Sequence, residues 1–390
     1  MIFLPGGISI KIIKNIEEFE ALQETWNSLL NNCEDRNMFL SWDWLFSWWT
    51  HFGDGHTLHI LLILKDDSPV GIAPFMISEY RYCFIKYRVL ENICARGVDY
   101  GGIIFVGNKG EIVKAIIDFL VSFLEDYRYI VRMSQLPENA IFYQEFRKLI
   151  LEYPEKITFN ETHFTSCPYL VIPGSWEKYC ASLKQKRRHN LKSTIKKINP
   201  QFNVEYISIT PSNSLFEKYF NDFRVLHQKR WDQFKLPSKF SDKRVIQFYR
   251  DISNRFTSHG CLDFSIMKIN NTVASVVFGF IFNKKYYCYT TAFDAQYDYY
   301  GLGKIHFLHT IKESIKKELK EVDFLKGEEP YKFFWTQTSR KNFEILLSKK
   351  RYFQRFRVLI FQKFLRFHEI TQRTLKENYY LYLKQKKDLQ

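Results

Sequence analysis

The sequence is poor in cysteine. Seven occur in 390 residues (Cys33, Cys83, Cys94, Cys167, Cys180, Cys261 and Cys288), an odd number with no Cys-x-x-Cys among them. This excludes a disulfide framework and a structural zinc site, and it points to buried thiols in a reducing compartment. No apolar run approaches the roughly 20 residues that a membrane-spanning helix needs. The apolar start from Met1 to Ile10 has no positive flank and is interrupted by Pro5-Gly6-Gly7, so no secretory signal is read there. The expected location is the cytoplasm, with the inner face of the membrane as a variant. There is no Ser-His-Asp pattern and no Walker lysine motif. His306, His309 and Glu313 have helical spacing, and His51, His56 and His59 cluster near Asp54. The first set reads as a helix face on a sheet and the second has no fixed ligand spacing, so no metal is expected.

Large apolar side chains are abundant. Hydrophobic residues make up 46% of the chain, with 37 Phe and 24 Tyr, and charged residues make up 25%. That composition belongs to a folded globular protein and excludes disorder and fibre. At about 100–200 residues per domain, the length predicts two to three domains. The net charge is +15 and is unevenly spread, with fourteen Lys/Arg against four Asp/Glu between Arg340 and Gln390. A basic balance favours anionic partners, whether phosphate, nucleic acid or acidic lipid, without choosing among them.

The pattern along the chain is α/β. Residues 17–52 read as helical, and Trp42, Leu45, Phe46 and Trp49 recur at helical spacing behind Ser41, a good N-cap. Strands follow at Leu58–Leu64, Val70–Ile77, Tyr82–Glu91 and Gly102–Val106, then an amphipathic helix at Glu111–Leu124. A similar order returns. Helices at Leu215–Trp231 and Val245–Phe256 precede strands at Leu262–Ile269, Val273–Phe282 and Tyr286–Phe293, with a helix at Leu302–Leu319 and a short strand at Glu321–Leu325. Val70-Gly71 aligns with Val273-Ala274, which indicates a duplicated unit. The segment from Lys184 to Lys197 is a basic helix with little apolar face, read either as a solvated surface or as an arm on nucleotide or RNA phosphate. Arg351–Leu383 also reads as helical, with Phe353, Phe356, Ile360, Phe364, Phe367 and Ile370 recurring. It is read as packing between domains or as lying on an acidic membrane surface.

Two segments could carry chemistry. In the first, a strand ends and Gly301-Leu302-Gly303-Lys304 opens a helix. Glycines there leave backbone N–H groups bare at the positive end of the helix dipole, where a pyrophosphate fits and Lys304 adds charge. The alternative is a tight connecting turn. In the second, the strand at Glu321–Leu325 ends at Gly327, and Glu328, Tyr331 and Lys332 follow. Ligands of open α/β sheets sit beyond the carboxyl ends of strands, so Asp323, Glu328, Tyr331 and Lys332 fall near the glycine turn if the strands are neighbours. Otherwise Tyr331, Phe333, Phe334 and Trp335 are packing residues and Lys332 is solvated.

These features together resemble the GNAT acyltransferase superfamily, in its duplicated branch with the CelD-like (cellulose biosynthesis) and FemAB-like proteins. The resemblance rests on the Trp-rich segment at 39–49, on the strands and Tyr299-Tyr300-Gly301-Leu302-Gly303 turn within 262–320, and on Asp323 to Lys332. It implies an α/β fold of two tandem GNAT-like domains with mixed central sheets: 1–160 with a degenerate phosphate turn, 161–345 as the catalytic half, and a basic helical tail at 346–390. It implies transfer from acetyl-CoA or another acyl-CoA to an amine or hydroxyl of an envelope- or polysaccharide-related small molecule, glycan or peptide. Gly301 and Gly303 fall on the glycine positions of the GNAT phosphate signature, while Asp298 stands where that signature has Arg or Gln and would repel pyrophosphate. The implied cofactor-binding residues are Thr291, Gly301, Leu302, Gly303 and Lys304. The implied catalytic residues are Tyr331 as acid on the leaving thiolate, Asp323 or Glu328 as acceptor of the amine proton, and Lys332. An amide near Thr290–Ala292 would hold the oxyanion. The alternatives are a FemAB-like transferase drawing on aminoacyl-tRNA, suggested by the basic helix, and a non-catalytic scaffold at the membrane surface.

Overall fold

The computed structural model describes residues 1–390 apart from 83, 96, 199–201, 234 and 367–390. In chain order it forms β1 (Ile2–Phe3), β2 (Ile8–Ile13), helices α1 (Ile16–Ala21), α2 (Gln23–Asn32) and α3 (Trp42–Phe52), then β3 (Thr57–Leu58), β4 (Ile60–Lys65), β5 (Ser68–Ala73), β6 (Phe75–Tyr82), β7 (Ile85–Asn92) and β8 (Ile104–Phe105). Helix α4 (Lys109–Phe123), β9 (Tyr129–Pro137), α5 (Ile141–Leu149) and β10 (Ile157–Val171) follow. The rest is α6 (Trp176–Ser182), α7 (Gln185–Ile198), β11 (Val204–Ile209), α8 (Phe216–Asp232), α9 (Lys243–Ser258), β12 (Leu262–Ile269), β13 (Thr272–Phe282), β14 (Lys285–Phe293), α10 (Leu302–Lys316), β15 (Glu321–Asp323) and β16 (Ser339–Lys349). Residues 352–366 are helical.

The chain folds into two compact units that are not contiguous in sequence. The first takes Met1–Arg36, Gly53–Phe164 and the chain from Phe343 onward; the second takes Asn37–Phe52 and Thr165–Asn342. These differ from a simple division at 160 and 345. The Trp-rich helix α3 belongs with the second unit because Trp44 is boxed in by Phe248, Phe256, Phe280 and Tyr289 at ring separations of 5.0 to 6.3 Å. Ser41 caps it, its hydroxyl accepting from the Trp44 N–H at 3.3 Å.

The first unit contains a sheet in the order β1-β2-β4-β5-β8 and a run β16-β9-β7-β6-β3. Ile10, Leu61, Ile63, Ile116, Leu120, Val131 and Met133 lie in its core. In the second unit the order is β11-β12-β13-β14-β15-β10. Neighbours are antiparallel from β11 to β14, parallel between β14 and β15, and antiparallel again to β10. Both units are therefore mixed α/β. Their hairpins turn where polar pairs predict: Asp66-Asp67, Asn270-Asn271 and Asn283-Lys284 all have positive φ, the conformation that two-residue turns require.

The tail differs from its sequence pattern. Residues 346–349 belong to β16, and 367–390, with Phe367 and Ile370, lie outside the described residues. Over 352–366 the helix buries Val358, Phe361 and Leu365 against Tyr87, Val89, Ile130 and Leu346 within the first unit. Phe353 and Phe356, on the predicted packing stripe, are exposed. Cys33, Cys94, Cys167 and Cys288 are buried. Among the described residues, no helix is long and apolar enough to cross a membrane.

Candidate active site

A wedge opens in the sheet of the second unit. β14 and β15 pair only at Lys285–Glu321, Tyr286–Val322 and Tyr287–Asp323. Beyond Asp323 the chain stays with β10: the Phe324 N–H donates to the Pro168 carbonyl (2.9 Å) and the Gly327 N–H to the Ser166 carbonyl (3.0 Å). β14 meanwhile runs on to Phe293, held by β13 along its other edge. Its outer edge therefore parts from β15 after Tyr287. Cys288, Phe307, Phe324 and Trp335 share one buried cluster at this parting.

Two buried charges lie beside the parting. Asp323 is fully buried; one oxygen accepts from the Leu325 N–H (2.8 Å) and the other from Arg340 Nη1 (3.1 Å), while Arg340 Nη2 also binds Glu321 (3.1 Å). Lys332 is 3% exposed, and its Nζ donates to the carbonyls of Leu325 (3.0 Å) and Lys326 (2.7 Å) and pairs with Glu329 (2.9 Å). A buried charge stays charged only when so surrounded. Asp323, read from the sequence as a proton acceptor, and Lys332, read as a catalytic group, are thus both buried and engaged by protein groups at the base of the loop that carries Glu328 and Tyr331. Glu328 is exposed on that loop. Tyr331 is 36% exposed and stacks on Phe307, with centroids 5.8 Å apart.

The glycine turn stands at the start of α10. Gly301 has φ 67° and ψ 44° and serves as N-cap without any side-chain cap. Its N–H donates to the backbone carbonyl of Asp298 (3.1 Å), and the N–H groups of Lys304 and Ile305 return to the Gly301 carbonyl (2.9 and 3.2 Å). Among the described residues, no protein group accepts from the backbone N–H of Leu302 or Gly303. Two such donors at the positive end of a helix are the arrangement that an anion can occupy, a candidate anion cradle. A Cβ at Gly303 would lie 3.8 Å from the Phe293 ring, so the cradle meets the far end of the open edge of β14, on which Thr291 also lies. Lys304 lies over the Phe334 ring at 4.7 Å. The first two turns of α10 thus join the glycine turn to the loop of Tyr331.

The basic helix α7 borders the same turn. Lys304 donates to Asn190 (3.2 Å), a Cβ on Gly301 would meet Thr194 at 3.5 Å, and Lys197 lies over the Tyr299 ring at 4.3 Å. Asn190 and Thr194 were missed from the sequence. The signal was Leu191 and Ile195, one helical turn apart, both packed in the α10 cluster. Also missed was a polar group on β14: Lys239 donates to Thr290 Oγ1 (2.7 Å) and to the Tyr249 hydroxyl, which is itself 2.7 Å from Thr290. No motif marks it.

The helical histidines are structural. His306 is fully buried between the hydroxyls of Ser265 and Ser275, each 2.9 Å from a ring nitrogen, and burial lowers its pKa to about 3. His309 stacks on Tyr206 at 3.7 Å. Among the described residues, no group of three or more His, Cys, Asp or Glu could hold a metal. A polar cleft of 280 Å³ lined by Tyr206, Asp263, His309, Glu313 and Lys317 opens along α10, away from every predicted site residue.

Residues 185–333, from α7 through the loop of Tyr331, match the family model of the acetyltransferase (GNAT) domain. No curated protein matches the sequence. Three solved structures share the fold. FemX has a TM-score of 0.57 at 9% identity, over 87% of this chain and 96% of its own. A conserved protein of unknown function from Bacteroides thetaiotaomicron has 0.55 at 17%, over 87% and 100%. The C-terminal domain of a putative lysylphosphatidylglycerol synthetase from Agrobacterium fabrum has 0.52 at 6%, over 85% and 92%. Residues 185–333 thus match a GNAT-type acetyltransferase domain around the parted strands, in a chain that shares the fold of FemX over most of its length.

Proposed function

We propose that the second unit transfers an acyl group, most simply acetyl, from acyl-CoA to an amine of an envelope- or polysaccharide-related acceptor. The observation that carries this reading is the pair of bare N–H groups at Leu302 and Gly303, set at the mouth of the wedge. In this reading the diphosphate of acyl-CoA lies on Gly301 to Lys304 and the thioester arm enters between β14 and the Tyr331 loop, past Thr291. A backbone N–H near Thr290–Ala292 holds the oxyanion as the amine attacks. Tyr331 protonates the departing thiolate. A free thiol has a pKa of about 8.5, so this assistance is modest. Glu328 takes the amine proton, and Asp323 and Lys332 act only as positioning residues.

A titration calorimetry series with coenzyme A tests this. Saturable heat at or below millimolar concentration, abolished in Gly301→Val, is the expected result; a flat titration of the intact protein overturns it. A second reading, with aminoacyl-tRNA as donor, draws on α7 beside the turn. Neutralising Lys186, Arg187 and Arg188 should then weaken tRNA binding and flatten its salt dependence. Unchanged binding and slope remove that reading.

A further inference from the structure

We propose that the helix over residues 352–366 docks the protein on an anionic lipid bilayer. One side of this helix is spent on the first unit, with Val358, Phe361 and Leu365 buried. The opposite side is both greasy and open: Tyr352 is 93% exposed, Phe353 65%, Phe356 60% and Leu359 54%. Positions 352, 356, 359 and 363 repeat at helical spacing, so Tyr352, Phe356, Leu359 and Lys363 share one stripe.

Charge identifies the partner. No Asp or Glu occurs between Glu344 and Glu369, whereas Arg355, Lys363 and Arg366 accompany the stripe and are exposed. Among the described residues, none of these three cations has a carboxylate partner. A second apolar point lies nearby. The β6–β7 hairpin ends in Phe84, fully exposed, and the Tyr82 ring of that hairpin lies tilted against Phe364 with centroids 4.9 Å apart. A cationic helix with exposed Phe, Tyr and Leu fits the boundary between headgroups and acyl chains, where rings enter and Lys/Arg meet phosphate. RNA fits less well, because stacking on bases rewards flat rings and not Leu359.

Sedimentation of the full-length protein with vesicles tests the proposal, using phosphatidylcholine alone or with one-third phosphatidylglycerol at physiological salt. The anionic vesicles should carry the protein down and the neutral ones should not. Phe353→Ser/Phe356→Ser/Leu359→Ser should lose at least about tenfold in partitioning. Arg355→Glu/Lys363→Glu/Arg366→Glu should lose about fivefold or more per cation changed. All six positions are exposed, and an unchanged thermal midpoint confirms that the variants fold. A polarity-sensitive dye on Phe356→Cys should shift to the blue only when anionic vesicles are added. No binding to anionic vesicles overturns the proposal, as does equal binding by both triple variants. So does a dye already blue without lipid, which would mean that protein covers the face, and so does loss of RNA binding in the variants with lipid binding intact.

Discussion

The two units carry the same pair of features and finish them differently. In each, two parallel strands part and a helix starts close by in sequence. In the first unit β7 and β9 pair from Arg88–Tyr129 to Glu91–Arg132, and the gap beyond is filled by the protein itself. The Asn92 side chain accepts from the Ser134 N–H (3.2 Å), the Ser134 hydroxyl donates to the Ala95 carbonyl (3.2 Å), and the Gly101 N–H donates to the Gln135 carbonyl (2.8 Å). A Cβ at Gly101 would lie 2.3 Å from the Ser134 carbonyl oxygen, so glycine is what lets the backbone close there. Helix α4 is closed as well. Asn108 caps it through the Glu111 N–H, and Glu111 pairs with Lys65 at 2.6 Å. In the second unit β14 and β15 part over the apolar cluster of Cys288, Phe307, Phe324 and Trp335, and α10 begins on an uncapped glycine. The fold supplies the splay and the dipole in both places, and only local side chains decide whether a ligand can use them.

Each unit also buries an arginine between two carboxylates, Arg132 with Glu91 and Glu344, and Arg340 with Glu321 and Asp323. The largest expected effects come from these. Arg132→Met and Arg340→Met should each cost about 3–5 kcal/mol in urea unfolding, since each strands two buried carboxylates. Only Arg340→Met should also depress activity in the surviving folded fraction, because Asp323 then no longer turns the chain away from β14. Next, Gly301→Val should lower kcat/KM by at least about 100-fold, the scale of a lost oxyanion-type donor. Its φ of 67° suits glycine, and a β-branched residue would distort the first turn of α10. Tyr331→Phe should reduce kcat by about 100-fold or less with KM little changed, read in a steady-state assay of thiol release.

A smaller effect is set by pH. Burial holds His227 and His306 neutral down to about 3 and His59 down to about 4. Unfolded histidines protonate below about 6.5, so stability should fall as pH drops from there towards 4, by up to about 1.4 kcal/mol per pH unit for each. His306→Gln should flatten that slope in urea melts at pH 7 and pH 5. The smallest is Asn108→Ala, which uncaps α4 and should cost about 1 kcal/mol without touching activity.

Local elements were legible because their signals are local. The strand pair at 262–282, the Asn270-Asn271 turn and the Asp242 cap on α9 all follow from neighbouring residues. The glycine turn was legible for the same reason, since a left-handed residue before a helix needs glycine. What escaped depends on partners far along the chain. Trp44 packs on rings some two hundred residues away, which removes α3 from the first unit. The burial of Asp323 and Lys332 is not legible in sequence because it depends on Arg340, which pairs with Asp323, and on the fold of the loop that brings Glu329 and the Leu325 and Lys326 carbonyls onto Lys332. The Phe repeat of the tail was legible only in part: Ile360 and Phe364 pack on the same cluster as Val358, Phe361 and Leu365, whereas Phe353 and Phe356 face outward.

Amide NMR of the full-length protein with labelled leucine and glycine addresses the claim that matters most. On titration with coenzyme A, the N–H resonances of Leu302 and Gly303 should move together and saturate, while Gly110 at the capped start of α4 stays still. Contradiction would come from binding that moves Gly110, or leaves Leu302 and Gly303 where they were.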